Sequence, residues 1–198
     1  MSVLIDSIFR PELVAERVLT APDEAERSQM TRLAYILSVV AVCIAYLWIL
    51  LPALFMALLS ALAGDVLSIP RLFLQWAFAV VGTCAGVYAV LTYTRQGINW
   101  AFTQFNIKAG TDWVEKLNRL LPYHLAGAGA VAIVYTILPV LGFLAGLAIT
   151  VYALSKWWKV YRDLTQLEVA PAVVSLVVIG VLKVAPGYVL DLALKILT

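Results

Sequence analysis

Residues 120–155 read LLPYHLAGAGAVAIVYTILPVLGFLAGLAITVYALS, 36 consecutive residues without Asp, Glu, Lys or Arg. As one helix rising 1.5 Å per residue they would extend about 54 Å, nearly twice a hydrocarbon core of about 30 Å. At the centre stands Leu138-Pro139-Val140-Leu141-Gly142. There a proline removes a backbone donor and a glycine permits a turn. The stretch therefore predicts two short spans, about 120–138 and 140–155, joined by a tight hairpin. Whether it doubles back decides whether the chain crosses lipid an odd or an even number of times.

The other uncharged runs are Leu33–Gly64 (32 residues), Leu72–Thr94 (23) and Val169–Leu182 (14). A span takes about 20 apolar residues. The run 72–94 is one span. The run from Leu33 is overlong, and its surplus begins near Pro52; the expected span is 33–59, with the tail a tilted continuation or an apolar segment in the outer interface. The last run becomes a span, about 169–185, if Lys183 reaches a headgroup near the outer end with its long stem. That makes five.

Basic residues give an independent test, because they accumulate on the cytoplasmic side. Eleven fall on one side of a five-span chain: Arg10, Arg17, Arg27, Arg32, Arg95, Lys108, Lys116, Arg119, Lys156, Lys159 and Arg162. Three fall on the other: Arg71, Lys183 and Lys195. A four-span reading puts Lys156, Lys159 and Arg162 on the wrong side. The expected placement is a bacterial inner membrane with the N-terminus cytoplasmic and the C-terminus opposite.

Composition agrees. The 198 residues are 63% hydrophobic and 13% charged, against about 45–50% and about 25% in soluble domains. Disorder and a disulfide scaffold are excluded by this apolar content and by having two cysteines. A net charge of +2 gives no argument for nucleic acid. The fold class is all-α: a polytopic bundle of five transmembrane helices (33–198) plus interfacial amphipathic helices.

The first of these forms an arm, residues 1–32. It lacks the basic, then apolar, then small-residue order of a cleavable signal. Pro11 and Glu12 open a helix whose Leu13, Val14, Val18 and Leu19 share a face, preceded by Ile5, Ile8 and Phe9. Thr20-Ala21-Pro22-Asp23-Glu24 restarts a helix into span one, with Asp23 and Arg27 spaced to pair. The arm lies on headgroups or against the bundle; docking of a cytosolic partner is the alternative. In 96–119, Ile98, Ala101, Phe102 and Phe105 make one interfacial stripe. Beyond a stop at Gly110 and a cap at Thr111, Trp113, Leu117, Leu120 and Leu121 make another. Lys156, Trp157, Trp158, Lys159 and Arg162 have the composition of an interfacial anchor, the candidate site for lipid or a partner. Pro186-Gly187 should end span five before a short outer amphipathic helix in which Asp191 pairs with Lys195.

Chemistry is sparse. His124 stands alone and lacks the further ligands a metal needs. Cys43 and Cys84 fall at equal expected depth and read as free packing thiols. No nucleophile-elbow, phosphate-loop, dinucleotide or zinc-protease string occurs. No catalytic, cofactor-binding or metal residue is therefore assigned, and the protein reads as no enzyme. Gly82 with Gly86, and Gly142 with Gly146, have the spacing of close helix packing, within the chain by default and between copies of a homo-oligomer otherwise. Gly127 and Gly129 thin span three.

The order of Phe9-Arg10-Pro11-Glu12, Val18-Leu19-Thr20-Ala21-Pro22, Leu121-Pro122-Tyr123, Leu138-Pro139-Val140-Leu141-Gly142, Tyr152 and a basic aromatic segment before the last span resembles the Yip family. These are five-span membrane proteins named for interacting with Rab-type GTPases, and the layout is closest to their compact prokaryotic members. The resemblance implies a cytosolic N-terminus, an outward C-terminus and a non-enzymatic role in membrane organisation or trafficking. The long cytosolic N-terminal region of eukaryotic members is missing, so the GTPase partner is not carried over, and neither is any catalytic residue. The expected function is a scaffold or adaptor binding lipid or a membrane or cytosolic protein at its inner face. A passive transporter, channel or lipid-moving protein, with spans three and four lining the path, and an accessory subunit of a larger complex are the alternatives.

Overall fold

The computed structural model describes residues 2–62, 69–107, 112–137, 141–164 and 169–197. Among them are seven helices: α1 (Ser2–Phe9), α2 (Pro11–Thr20), α3 (Glu24–Leu62), α4 (Ile69–Gln104), α5 (Asp112–Ile137), α6 (Leu141–Leu164) and α7 (Val169–Leu197). Four are long and apolar enough to cross a membrane, over Glu24–Met56, Phe73–Gln104, Asp112–Ile137 and Val169–Ile196. The exterior matches that solvent: Leu51, Phe55, Val81, Val151 and Val184 are each more than half exposed, an apolar surface that water would not tolerate. In α6 the charges from Lys156 onward leave only residues 141–155 as an uncharged stretch, roughly 22 Å of helix.

Helix directions follow from which residues meet. Tyr123 donates to Glu26 Oε1 at 3.0 Å, and Trp48 Nε1 donates to the Thr136 carbonyl at 2.7 Å. Gly129 backs onto Leu37 and Ser38 between them. Both numbers rise together, so α3 and α5 are parallel. Tyr135 donates to Thr150 Oγ1 at 3.0 Å, while His124 stacks edge-on against Trp157; α5 and α6 are antiparallel, and the chain does double back. The corner Leu138-Pro139-Val140 itself lies outside the described residues. Gly82 meets Gly187, Gly86 meets Lys183 and Gly97 meets Val178, so α4 and α7 are antiparallel. Tyr35 neighbours Cys84 and Tyr88, and Tyr46 faces Gln75 and Thr83, which sets α3 against α4. From α3 to α7 the direction alternates at every helix.

Several local expectations are corrected. Asp23 does not pair with Arg27. Its Oδ1 caps α3 by accepting from the amides of Ala25 (2.9 Å) and Glu26 (3.2 Å), and Arg27 turns to Glu24. Residues 96–104 are not a separate interfacial helix. They continue α4 with no break at Arg95, because Ile98, Ala101 and Phe102 bury their stripe in the bundle and Gly97 sits against Val178. Phe105 leaves that stripe and is exposed. α4 ends where Asn106 takes a left-handed φ of 52° and the Ile107 amide reaches back to the Phe102 carbonyl. The expected stop at Gly110 and cap at Thr111 lie outside the described residues. Pro186 does not end α7, which runs through it to Leu197; proline is tolerated in a membrane helix whose neighbours re-satisfy the freed carbonyl. α3 likewise passes through Pro52 to Leu62.

Candidate functional site

Two regions gather the polar groups. The first is where the arm meets α5 and α6. Ser7 is fully buried, and an added Cβ at Gly127 would lie 3.1 Å from its Oγ; the glycine makes room for α1. Trp157 Nε1 donates to the Ser7 carbonyl at 2.9 Å. Tyr152 donates to the Phe9 carbonyl at 3.4 Å and its ring packs on Phe9. Lys156 pairs with Glu12 at 3.3 Å, and Arg17 with Glu26 at 3.1 Å. Val14, Ala15 and Val18 close the apolar side of α2, while Leu13 stays exposed. The arm is therefore docked against the bundle.

This docking divides the basic aromatic segment. Trp157 is buried and Lys156 is engaged by Glu12, so both face the arm. Arg162 lies over the Trp158 ring at 5.9 Å, and Lys159 is exposed. His124 sits between Trp157 (centroids 4.8 Å apart) and Tyr161, whose Oη is 3.3 Å from His124 Nδ1. No group of three His, Cys, Asp or Glu able to hold a metal occurs among the described residues. A slot of about 180 Å³, lined by Ile8, His124, Gly127, Tyr135, Thr150 and Trp157 among others, separates α1, α5 and α6. Its walls are almost wholly apolar, and its histidine is covered by aromatic rings rather than turned toward a reacting partner.

The second region lies between α3, α4 and α7, and sequence reasoning missed it. A cavity of about 590 Å³ is lined by Tyr46, Gln75, Thr83, Lys183, Tyr188 and Asp191, with Gly82 and Gly187 at its back. Lys183, expected near the outer end with its stem reaching a headgroup, lines this interior. Its backbone carbonyl abuts Gly86, nine residues from Arg95 and fifteen from Arg71, roughly 14 Å and roughly 22 Å along α4. A lysine at the centre of a membrane helix costs about 2.5–3.5 kcal/mol on insertion scales, and polar lining of the kind found here lowers such a cost. The signal in the sequence was the Gly82–Gly86 spacing, which locks α4 onto α7 and thereby sets the register of Lys183.

Gly82 and Gly146 also pack within the chain. An added Cβ at Gly82 would lie 2.7 Å from Gly187 Cα, and at Gly146 2.8 Å from the Tyr135 ring. The surroundings of Gly142 lie outside the described residues. Cys43 and Cys84 are free, and it is Tyr35, eight residues before Cys43, that neighbours Cys84. No family model matches the chain, and neither a curated protein nor a solved structure does.

Proposed function

We propose that this is a non-enzymatic integral membrane protein with the Yip-type layout, a scaffold or adaptor of the inner membrane. In this reading α3 to α7 make five crossings, the N-terminus is cytoplasmic and the C-terminus lies opposite. Its inner face, with Trp158, Lys159 and Arg162 beside the docked arm, binds anionic lipid or a protein partner. The observation that carries the reading is the arm itself: α1 and α2 are bound to α5 and α6 through Ser7, Phe9 and Glu12. Polar material is thereby collected on one face, and the lone histidine is enclosed by Trp157 and Tyr161. Lys159→Ala with Arg162→Ala should weaken sedimentation with anionic vesicles, or co-purification of a partner at fixed stoichiometry. If neither changes, the proposed face has no such role.

A second reading, a passive path through the membrane, is favoured by the cavity at Lys183 and not by spans three and four. There Gly127 is filled by Ser7 and Gly146 by Tyr135. Flux into liposomes above the empty-vesicle background, abolished by Gly187→Leu, would promote it over the scaffold.

A further inference from the structure

The α3/α4/α7 cavity is asymmetric in charge and in shape. Along α7 it runs from Lys183 through Gly187 to Asp191 and Leu194, and along α4 from Thr83 to Gln75. Both tracks lead toward the end that carries Arg71 and the C-terminus, so Lys183 is its inner floor. Asp191, the acidic side chain of the lining, is held by Lys195 Nζ at 2.7 Å. No carboxylate forms an ion pair with Lys183 among the described residues. Lys183, Lys195 and Asp191 together leave one positive charge, and it is placed at the floor.

Snorkelling does not relieve that charge. Gly86 presses the Lys183 backbone onto α4 well inside the uncharged run Leu72–Thr94, farther from either end than a four-carbon stem reaches. The Tyr46 and Tyr188 hydroxyls and, farther toward the mouth, the Gln75 amide line the same cavity, neutral groups that can donate to an oxyanion without competing for it; the Thr83 hydroxyl is already donated to the Ala79 carbonyl at 2.8 Å. On the flank, Val184 and Tyr188 are about two-thirds exposed, so an apolar tail can leave sideways into lipid while a headgroup stays within.

We infer that Lys183, with the Tyr46 hydroxyl and the Gln75 amide lining the way in, forms a binding site for a phosphate-bearing anion, entered from the outer end of the α3/α4/α7 cavity. The ligand is a lipid headgroup or free phosphate, which share this chemistry. The site rests on the proposed crossing of the membrane, which sets its outer orientation.

Native mass spectrometry of the full chain in maltoside micelles tests it with three probes: phosphatidylglycerol, phosphatidylcholine and inorganic phosphate. Wild type should retain one phosphatidylglycerol or one phosphate in preference to phosphatidylcholine. Lys183→Gln should weaken that retention about tenfold or more, as loss of a charge-assisted partner does. Lys183→Arg should keep most of it. Gly187→Leu, whose first added carbon meets nothing within 4 Å, should block the site with Lys183 intact, which covers the case of a Gln variant that fails to fold. Binding of phosphatidylglycerol that phosphate does not displace assigns a lipid; binding of phosphate alone assigns a soluble anion. Equal retention by wild type, Lys183→Gln and Gly187→Leu overturns the site, as does no preference over phosphatidylcholine together with no phosphate bound. Lys183-dependent binding with both termini on one face would leave the site standing and remove the topology; opposite termini without such binding would do the reverse.

Discussion

The α5/α6 pair and the α4/α7 pair both rest on glycine, and they use it differently. In α5/α6 the glycines accept side chains: Gly127 takes Ser7 and Gly146 takes the Tyr135 ring. Ser7 and Tyr135 fill much of the space, and a slot of about 180 Å³ remains. In α4/α7 the glycines accept backbone. Gly82 meets Gly187 and Gly86 meets the Lys183 carbonyl, so two helices close on each other and leave the third side open as a cavity of about 590 Å³. Small residues thus make a sealed dock in one half and a rigid wall beside a polar hollow in the other.

Mutations can separate these uses. Gly86→Leu should do most damage, because its side chain must displace α7 backbone rather than a rotatable side chain. Overpacking of this kind costs about 3 kcal/mol, seen as a lower unfolding midpoint in detergent and loss of monodisperse protein. Gly180→Ala is its control in the same pair, since an added Cβ meets nothing within 4 Å there; the midpoint should hold or rise slightly. Next, Tyr123→Phe removes the hydroxyl that ties α5 to Glu26. With a charged acceptor the loss should be about 1.5 kcal/mol.

Trp157→Phe should cost about 1 kcal/mol through the lost bond to the Ser7 carbonyl. Its sharper readout is hydrogen exchange, which should quicken over residues 2–20 while α4 and α7 stay as protected as in wild type. Exchange rising equally in α7 would show the two halves to be one unit. Smallest of all, Lys156→Ala loses a pair with Glu12 that is about one-third exposed and should shift stability by about 0.5 kcal/mol.

The antiparallel pairing of α5 and α6 was legible because it follows from length: 36 uncharged residues cannot lie straight across a bilayer. The amphipathic face of the arm was legible in part: Val14 and Val18 recur at helical spacing and are buried, while Leu13, expected beside them, is exposed. Helix ends were harder. Arg95 interrupts an apolar run but does not stop a helix, because hydrogen bonding within α4 is indifferent to the membrane edge. Pro186 was misjudged for a related reason: a break that is decisive in water is absorbed when neighbouring helices hold the segment. Of the cavity at Lys183, only the close-packing spacing of Gly82 and Gly86 was legible. The cavity depends on the register of α7 against α4, set by backbone meeting at Gly82 and Gly86, and pairing registers are tertiary facts.

The central proposal is that the chain, whose direction changes at every helix from α3 to α7, crosses the membrane five times. With Cys43→Ser and Cys84→Ser as background, Ser2→Cys and Thr198→Cys can be labelled separately in sealed vesicles by an impermeant maleimide. The expected result is opposite accessibility, residue 2 reacting from the cytoplasmic side and residue 198 from the other. Both sites reacting from one face would contradict it.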